Sequence, residues 1–355
     1  MLATEIMHVA TAHKIELKAL PRAAEETDKT LQRFKENVLH ELNDQVPANL
    51  DVLLFGSFAR RELTTESDCD YLVVLDGTPR HHEIQQVVRA VESSRKLLLL
   101  SEAGRTGAFA DFATATELFA RIGLESDSNA NTTRRLLLLC ESVPVLNEAV
   151  TSKIRKTIIE RYLGDYAPDV ERKRPVRVPH FLLNDVIRYW RTIAVDFGAK
   201  QWRSLSSDWY LRYAKLLTTR KILFAGTLAV LLDSDNALSP LYHNGSVDRS
   251  QILNVLSDHI ETGLARTPLA RLLALHDRLS NDGQRALAQL LQAYDRFIEL
   301  LDDRFARVAL ARLGTGSEQP RAVAEESARI IHERLLFLFN DEPLLKGATR
   351  EFGLF

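Results

Sequence analysis

The residues best suited to chemistry in this chain are two aspartates that flank a cysteine, Asp68 and Asp70. The apolar run after them predicts a β-strand, and strand side chains two positions apart point to the same face of a sheet. Both carboxylates should therefore project together, with Cys69 and Tyr71 facing the other way. Two carboxylates within about 4 Å repel by roughly 4 kcal/mol at an effective dielectric near 20, so such a pair normally holds a cation. The hard divalent ion that suits oxygen ligands and phosphates is Mg²⁺.

A glycine and a serine, Gly56 and Ser57, precede the aspartates at the end of an apolar segment that predicts a first strand. Gly56 lets the backbone approach a ligand closely. Ser57 lies where the following turn presents unpaired N–H groups and a hydroxyl, which are features of a phosphate site. The sequence therefore predicts a phosphate site and a metal-binding pair on adjacent strands.

The whole stretch, GSFARRELTTESDCD, resembles the nucleotidyltransferases of the DNA polymerase β superfamily, in particular their minimal and uridylyltransferase-like branches. Their motif is an apolar residue, Gly, Gly or Ser, a spacer, and then Asp, apolar, Asp, apolar. The resemblance implies a short mixed sheet with flanking helices, Mg²⁺ or Mn²⁺ as cofactor, and a nucleoside triphosphate as substrate. An ordinary strand with two solvated aspartates is the alternative interpretation. The nucleotide-binding residues that the resemblance implies are Gly56, Ser57, Arg60 and Ser67.

Two arginines follow the glycine turn. Arg60, one helical turn on, could neutralise the terminal phosphates, and the alternative is a helix arginine that faces solvent. Arg61 stands where the resembled proteins usually have glycine. If that position requires a backbone conformation that favours glycine, the start of the helix must differ slightly here.

A third carboxylate is expected from the segment Ala108 to Ala113, whose alternation predicts a third strand. The resembled superfamily takes its third metal ligand from a strand after the aspartate pair, and Asp111 is the acidic residue on this one. It would support the catalytic metal and could accept the proton of the attacking hydroxyl. The alternatives are an edge-strand aspartate without that role, or Glu117, which a helix predicted over 114–122 would carry away from the strand face.

The apolar segment from Asn131 to Leu146 predicts a helix with Arg134 and Arg135 in its first turn. Basic residues at a helix N-terminus oppose the helix dipole, so a negative charge should compensate them. That charge could be a nucleotide phosphate, or it could be one of the nearby carboxylates. The candidate carboxylates are Glu125 and Asp127.

Prolines and basic residues in 164–180 predict a linker between two domains. The first, 1–163, would be the nucleotidyltransferase domain, and the second, 181–355, would be a helical domain that binds the substrate or regulates the activity. The fold class expected is therefore α+β, with an all-helical C-terminal domain. The basic residues of the linker would be solvated or would bind nucleotide phosphate or an RNA backbone. They are Arg172, Lys173, Arg174 and Arg177.

A second informative stretch begins near His180, where Asp185, Arg188 and Arg191 fall at helical spacing and are possible substrate-binding residues. All three tryptophans of the chain lie nearby. Arginines beside aromatic rings suit stacking on a base and binding phosphate, although a core of packed aromatics explains them equally well. The run NDVIRYWRT is similar to one in bacterial proteins that also carry the Gly-Ser turn and the aspartate pair.

The remainder of the chain predicts helices only. The longest runs over 284–313, with an apolar stripe that includes Phe305 and Val308, while Asp295 and Asp303 are expected to face out. The net charge of −2 gives no global attraction for nucleic acid, and two cysteines are too few for a disulfide framework or a zinc site. With no apolar segment typical of a signal peptide or a membrane span, we expect a cytoplasmic protein without a membrane partner.

The function expected from these patterns is transfer of a nucleoside monophosphate to an acceptor, with release of pyrophosphate. The acceptor stays open between an RNA or tRNA end, a protein side chain and a small molecule, and base specificity and oligomeric state stay open as well. Two other classes of protein fit the same residues. One is a cyclic-nucleotide second-messenger synthase, and the other is a catalytically silent nucleotide-sensing or toxin-antitoxin-type binding module.

Overall fold

The chain divides into two compact units in its computed structural model. One unit is formed by Ala24–Ala167, and the other by Met1–Ala23 together with Pro168–Phe355. A small sheet organises the first unit and the second is helical, which confirms the predicted α+β class. The structure describes residues 2–64, 66–78, 80–102, 111–164, 177–203, 208–243, 248–312 and 318–353.

The sheet of the first unit has the strand order β3-β2-β1-β4. The central strand β1 (Leu50–Phe55) pairs antiparallel with β2 (Tyr71–Leu75) and with β4 (Ser142–Pro144). β2 pairs in parallel with β3 (Asp111–Thr114). β1 and β2 are buried along their whole lengths, and apart from Asp51 in β1 their residues are apolar or aromatic. Of the predicted third strand, residues 108–110 lie outside the described residues.

Helices α2 and α4 cover one face of β1 and β2, and their apolar side chains form one buried cluster with alternate residues of both strands. The cluster includes Phe34, Val38, Val52, Leu54, Val73, Val87 and Val91. The helices that run through this unit are α2 (Ala19–Glu41), α3 (Ser57–Arg60), α4 (His81–Leu97), α5 (Ala115–Phe119), α6 (Asn129–Cys140) and α7 (Glu148–Gly164).

Helix α6 corrects the predicted helix from Asn131 to Leu146. It begins earlier, where the Ser128 side chain accepts a hydrogen bond from the Asn131 N–H at 3.2 Å, and it ends at Cys140. The residues after it form β4, in which Pro144 lies opposite Leu53 at the edge of the sheet. Proline has no N–H to donate and disfavours a helix interior, whereas an edge strand tolerates it.

The second unit packs the N-terminal helix against helices from the C-terminal part of the chain. Helix α1 contacts α12 and α13, α13 lies along α15, and α10 packs on α11, α12 and α16. The helices are α1 (Leu2–His13), α8 (His180–Arg203), α9 (Trp209–Leu217), α10 (Thr219–His243), α11 (Arg249–Leu264), α12 (Pro268–Leu273), α13 (Asn281–Asp302), α14 (Arg304–Arg312), α15 (Glu318–Asn340) and α16 (Pro343–Phe352).

The long helix predicted over 284–313 is two helices, α13 and α14, with a break at Asp303. The Asp303 side chain accepts hydrogen bonds from the N–H groups of Phe305 and Ala306 at 2.8 and 3.1 Å and so caps α14. Phe305 and Val308 are exposed as a result and do not continue the buried stripe. The expectation that Phe305 and Val308 continue the buried stripe is therefore wrong, whereas Asp303 is exposed as expected.

The predicted first domain, residues 1–163, differs at its start from the compact unit Ala24–Ala167. The segment before Ala24 is held in the helical unit by Asp295, which was expected to face out and is buried. Its carboxylate accepts hydrogen bonds from the N–H groups of Lys18 and Leu20 at 3.0 and 2.7 Å. Residues 165–176 of the predicted linker lie outside the described residues. Across the described ranges, no helix combines the length and apolar character needed to cross a bilayer.

Candidate functional site

Asp68, Cys69 and Asp70 form an extended run that leads into β2. The Cys69 N–H donates to the Ser101 carbonyl at 3.1 Å, and the Phe55 N–H donates to the Asp70 carbonyl at 2.9 Å. Cys69 is buried in the cluster beneath α2 and α4, whereas Asp68 is exposed and Asp70 is half-buried. The extended backbone therefore turns the cysteine towards the core and the two aspartates away from it.

Burial raises the pKa of the Cys69 thiol to about 12, and the negative charge of Asp70 adds to this effect. Burial likewise raises the pKa of the Tyr71 hydroxyl, with a further contribution from Glu92. Both groups are neutral and protonated at neutral pH. Neither is suited to act as a nucleophile or a base, which leaves the carboxylates as the chemically active groups of this run.

Gly56 brings the turn after β1 next to Asp70. Its φ of 63° and ψ of −132° are strained for any residue with a side chain. A Cβ added at Gly56 would lie 3.6 Å from Oδ2 of Asp70, so the bare backbone of the turn faces that carboxylate. Ser57, half-buried, begins α3 directly after the turn. The Gly-Ser turn and Asp70 are thus neighbours.

Arg61 occupies a left-handed backbone conformation, with φ 62° and ψ 44°, at the end of α3. Glycine adopts this conformation at least cost. Two side-chain interactions hold the arginine there. Its Nη1 donates to the Phe58 carbonyl at 3.1 Å, and its Nε pairs with Asp28 Oδ1 at 2.6 Å. The chain therefore places an arginine in a backbone conformation that favours glycine.

Arg60 and Ser67 have structural partners in the first unit. Arg60 is buried, with Nε 2.7 Å from Glu62 Oε2 and Nη1 bonded to Glu141. This burial contradicts the solvent-facing alternative, whereas the phosphate-binding role of Arg60 stays a prediction. Ser67 accepts a hydrogen bond from the Thr64 N–H at 3.0 Å and so closes the loop before Asp68.

Asp111 lies on the same face of the sheet as Asp70. In the parallel pairing of β2 and β3, Asp111 lies opposite Leu72, and paired residues point to the same face of a sheet. Leu72 is two residues after Asp70 and therefore shares that face with it. Its carboxylate is half exposed, and its Oδ2 lies 2.5 Å from Nη2 of Arg134. No sequence signal indicated this ion pair, because its partners come from different elements.

Glu117, the competing third carboxylate, caps helix α5. Its Oε2 accepts a hydrogen bond from the Thr114 N–H at 3.0 Å, and its own N–H donates to Thr114 Oγ1 at 3.3 Å. This reciprocal pair is a capping box. The structure thus gives Glu117 a partner in its own helix, while Asp111 remains on the strand face.

Arg135 is compensated by a nearby carboxylate, Asp127, which confirms one of the two predicted possibilities. It is fully buried, with Nη2 2.7 Å from Asp127 Oδ2 and Nε 2.9 Å from the Tyr162 hydroxyl. Because α6 begins at Asn129, both arginines lie in its second turn rather than in its first. Arg135 is therefore a structural residue of the first unit.

The possible substrate-binding residues of the second unit lie on α8, where Arg188 and Arg191 are exposed and Asp185 is half-buried. The aromatic rings near these residues stack on one another. The ring centroids of Trp190 and Phe224 are 5.2 Å apart, and those of Trp209 and Tyr213 are 5.3 Å apart. In the basic linker, Arg177 pairs with Asp235 and Glu351, and Arg172, Lys173 and Arg174 lie outside the described residues.

Residues 35–105 match the family model of the nucleotidyltransferase domain. The matched segment contains the Gly56 turn and both aspartates of the pair, while Asp111 lies beyond it. The chain thus carries a nucleotidyltransferase domain, consistent with the polymerase β type, and is a transferase of phosphorus-containing groups. This domain supports transfer of a nucleoside monophosphate as the general reaction. A search of curated proteins gave no match to the chain.

Proposed function

We propose that this protein transfers a nucleoside monophosphate from a nucleoside triphosphate to an acceptor hydroxyl and releases pyrophosphate. A divalent cation, Mg²⁺ or Mn²⁺, would be held by Asp68, Asp70 and Asp111. The observation that carries the proposal is the close approach of the Gly56 turn to Asp70 Oδ2, inside the segment that matches the nucleotidyltransferase domain. A phosphate-binding turn and a metal-binding carboxylate must be neighbours if one triphosphate is to contact both.

The donor set fits a hard divalent cation. The candidate ligands are carboxylate oxygens, which Mg²⁺ and Mn²⁺ prefer, and each carboxylate is at least partly accessible. Asp111 is paired with Arg134, so binding a cation there requires the guanidinium to share or release one oxygen. When bound, the cation neutralises the triphosphate and lowers the pKa of the acceptor hydroxyl.

The protein's own groups supply binding and proton transfer. The bare backbone at Gly56 admits the terminal phosphates, and the Ser57 hydroxyl and N–H can donate hydrogen bonds to them. The acceptor oxygen forms a bond to the α-phosphorus while the bond between the α- and β-phosphates breaks. Asp111 accepts the proton of the acceptor hydroxyl, and Arg134 orients that carboxylate.

The acceptor could be an RNA or tRNA end, a protein side chain or a small molecule. A net charge of −2 disfavours a long RNA, because such binding draws on several phosphate contacts. Arg188 and Arg191 are candidate substrate-binding residues, with Asp185, because both arginines are exposed and positively charged.

The test is incubation of the full-length protein with each α-labelled nucleoside triphosphate and Mg²⁺ or Mn²⁺, with and without cell lysate. We expect label in RNA, protein or a small acceptor, together with pyrophosphate. A labelled product from nucleotide alone would instead identify a second-messenger synthase. Triphosphate binding without pyrophosphate under any condition would identify a binding module and contradict the proposal.

Removal of the aspartate pair provides the matched test. We expect Asp68→Ala with Asp70→Ala to lower turnover at least about 10³-fold, because the charge stabilisation that a metal supplies is worth several kcal/mol. Asp76→Ala is the control, since this aspartate directly follows β2 and pairs with Lys153 at the surface. Normal turnover by the double variant would disprove the assignment of the pair.

A further inference from the structure

Three histidines and one aspartate converge within the second unit. His8 and His13 lie on α1, whereas His276 and Asp277 belong to a short 3-10 turn, His276–Arg278, that follows α12. His8 Nε2 is 2.8 Å from Asp277 Oδ1, and His276 Nδ1 is 2.7 Å from the same oxygen. Segments more than 260 residues apart in the sequence thus meet through groups that can bind a metal.

The buried member of this cluster is His276, whose side chain is only 6% exposed. Its ring lies between those of His8 and His13, with centroid distances of 5.2 and 5.3 Å and nearly perpendicular planes. One ligand atom each from His8, His276 and Asp277 lies within 4.8 Å of the other two. Zn²⁺ binds nitrogen and oxygen ligands at about 2.0–2.2 Å, so small side-chain movements would bring all three atoms onto one ion.

We propose that His8, His276 and Asp277 bind a transition-metal ion of the Zn²⁺ class, and that His13 is a positioning residue for this site. Imidazole nitrogens with one carboxylate suit such ions and not Mg²⁺. Three protein ligands leave a fourth position for water or another ligand.

His13 acts on the ring nitrogen of His276 that faces away from Asp277. The two Nε2 atoms are 3.0 Å apart. With Nε2–H of His276 donating to Nε2 of His13, this hydrogen bond orients the His276 ring and leaves its Nδ1 unprotonated for the metal. A bound ion would join α1 to the turn after α12. Because the ion binds only the folded arrangement, it stabilises the packing of the N-terminal helix in this unit.

The experiment uses untagged full-length protein that has been stripped with a chelator. Zn²⁺ is titrated against a chromophoric competitor in excess Mg²⁺, which occupies carboxylate sites, and Co²⁺ replaces Zn²⁺ to give a visible spectrum. We expect one ion per chain, a Co²⁺ spectrum typical of low coordination number, and a higher Tm with Zn²⁺. The alternative, a cluster held by hydrogen bonds alone, predicts none of these results.

The variants locate the ion. His8→Ala and Asp277→Asn change exposed side chains, so the fold should persist while Zn²⁺ affinity falls more than about 100-fold. His13→Ala should lower it about 10–100-fold, the usual effect of losing a positioning partner. His332→Ala, an exposed histidine on α15, should leave affinity unchanged, as should Asp68→Ala with Asp70→Ala. Unchanged affinity in both ligand variants, or loss of Zn²⁺ binding in the Asp68 and Asp70 variant, would overturn the proposal.

Discussion

Asp111 is the residue on which the proton-transfer part of the proposed mechanism depends. We expect Asp111→Asn to lower kcat about 10²–10⁴-fold, the usual contribution of a general base, because an amide cannot accept the proton. Steady-state kinetics over a range of Mg²⁺ concentrations measure this, since loss of a metal ligand also raises the Mg²⁺ requirement.

Glu117→Gln is the matched control, because glutamine can preserve the capping box with Thr114. Its activity should equal that of the native protein. Arg134→Met should lower kcat less than Asp111→Asn does, since it removes the partner that orients the carboxylate but not the carboxylate itself. Native metal dependence in Asp111→Asn, together with a loss in Glu117→Gln, would transfer the role to Glu117.

The same residues show what the sequence could and could not predict. The shared face of Asp68 and Asp70 follows from the two-residue period of a strand, which is local information. The partners of Arg60 and Arg134 lie 81 and 23 residues away, at Glu141 and Asp111. Pairings of that kind depend on how the elements pack, so no spacing rule indicates them.

Among the elements, the short helix α3 depends on a turn that is unusual for an arginine. A residue other than glycine costs about 1–2 kcal/mol in the left-handed conformation of Arg61. Arg61→Gly removes this cost along with the bonds to Phe58 and Asp28, so its stability should stay within about 1 kcal/mol of the native value. Arg61→Ala keeps the cost and loses the bonds, so it should be about 1–2 kcal/mol less stable than Arg61→Gly.

Chemical denaturation of the full chain measures the difference in stability between Arg61→Ala and Arg61→Gly. The quantity compared is the midpoint of the transition in which the first unit unfolds. Comparing the two variants with each other cancels the loss of the arginine side chain and leaves the backbone conformation. Equal midpoints for Arg61→Ala and Arg61→Gly would show that the conformation carries no strain.

Two elements differ from those that the sequence pattern predicts. In each case the apolar pattern is compatible with a continued helix, and hydrogen bonding favours another structure. The run after Cys140 is apolar enough to continue a helix, but it pairs with β1 as an edge strand. The stripe after Asp302 has helical spacing, but Asp303 caps a new helix. Periodicity reports which face of an element is apolar, and it does not report where one element stops.

For the whole molecule, the main departure from the sequence-based division is that the helical unit is built from both ends of the chain. Helix α1 packs against α12 and α13, and its residues Ile6 and Val9 are completely buried there. The predicted domain of residues 1–163 instead includes this helix, because it lies next to that domain in the sequence. The partners of α1 lie more than 250 residues away, as the hydrogen bond from Arg266 to Glu5 on this helix illustrates.

This arrangement predicts how fragments of the chain behave. A fragment of residues 1–167 carries α1 without the helices that bury it, whereas a fragment of 24–167 omits it. Each buried side chain of the size of Ile6 or Val9 is worth about 1.5–3 kcal/mol, so its exposure should promote self-association. We expect the shorter fragment to be the more monomeric in size-exclusion chromatography and to bind less of a hydrophobic dye.

Ile6→Asp with Val9→Asp separates exposure of α1 from fragment length. In the fragment 1–167 these substitutions should restore monomeric behaviour, because they remove the exposed apolar face. In the full chain the same pair should lower the stability of the helical unit, because it places two carboxylates at positions that are completely buried. If both fragments associate equally and the substitutions leave the full chain as stable as before, then α1 does not belong to the helical unit, and the division at residue 163 is the better one.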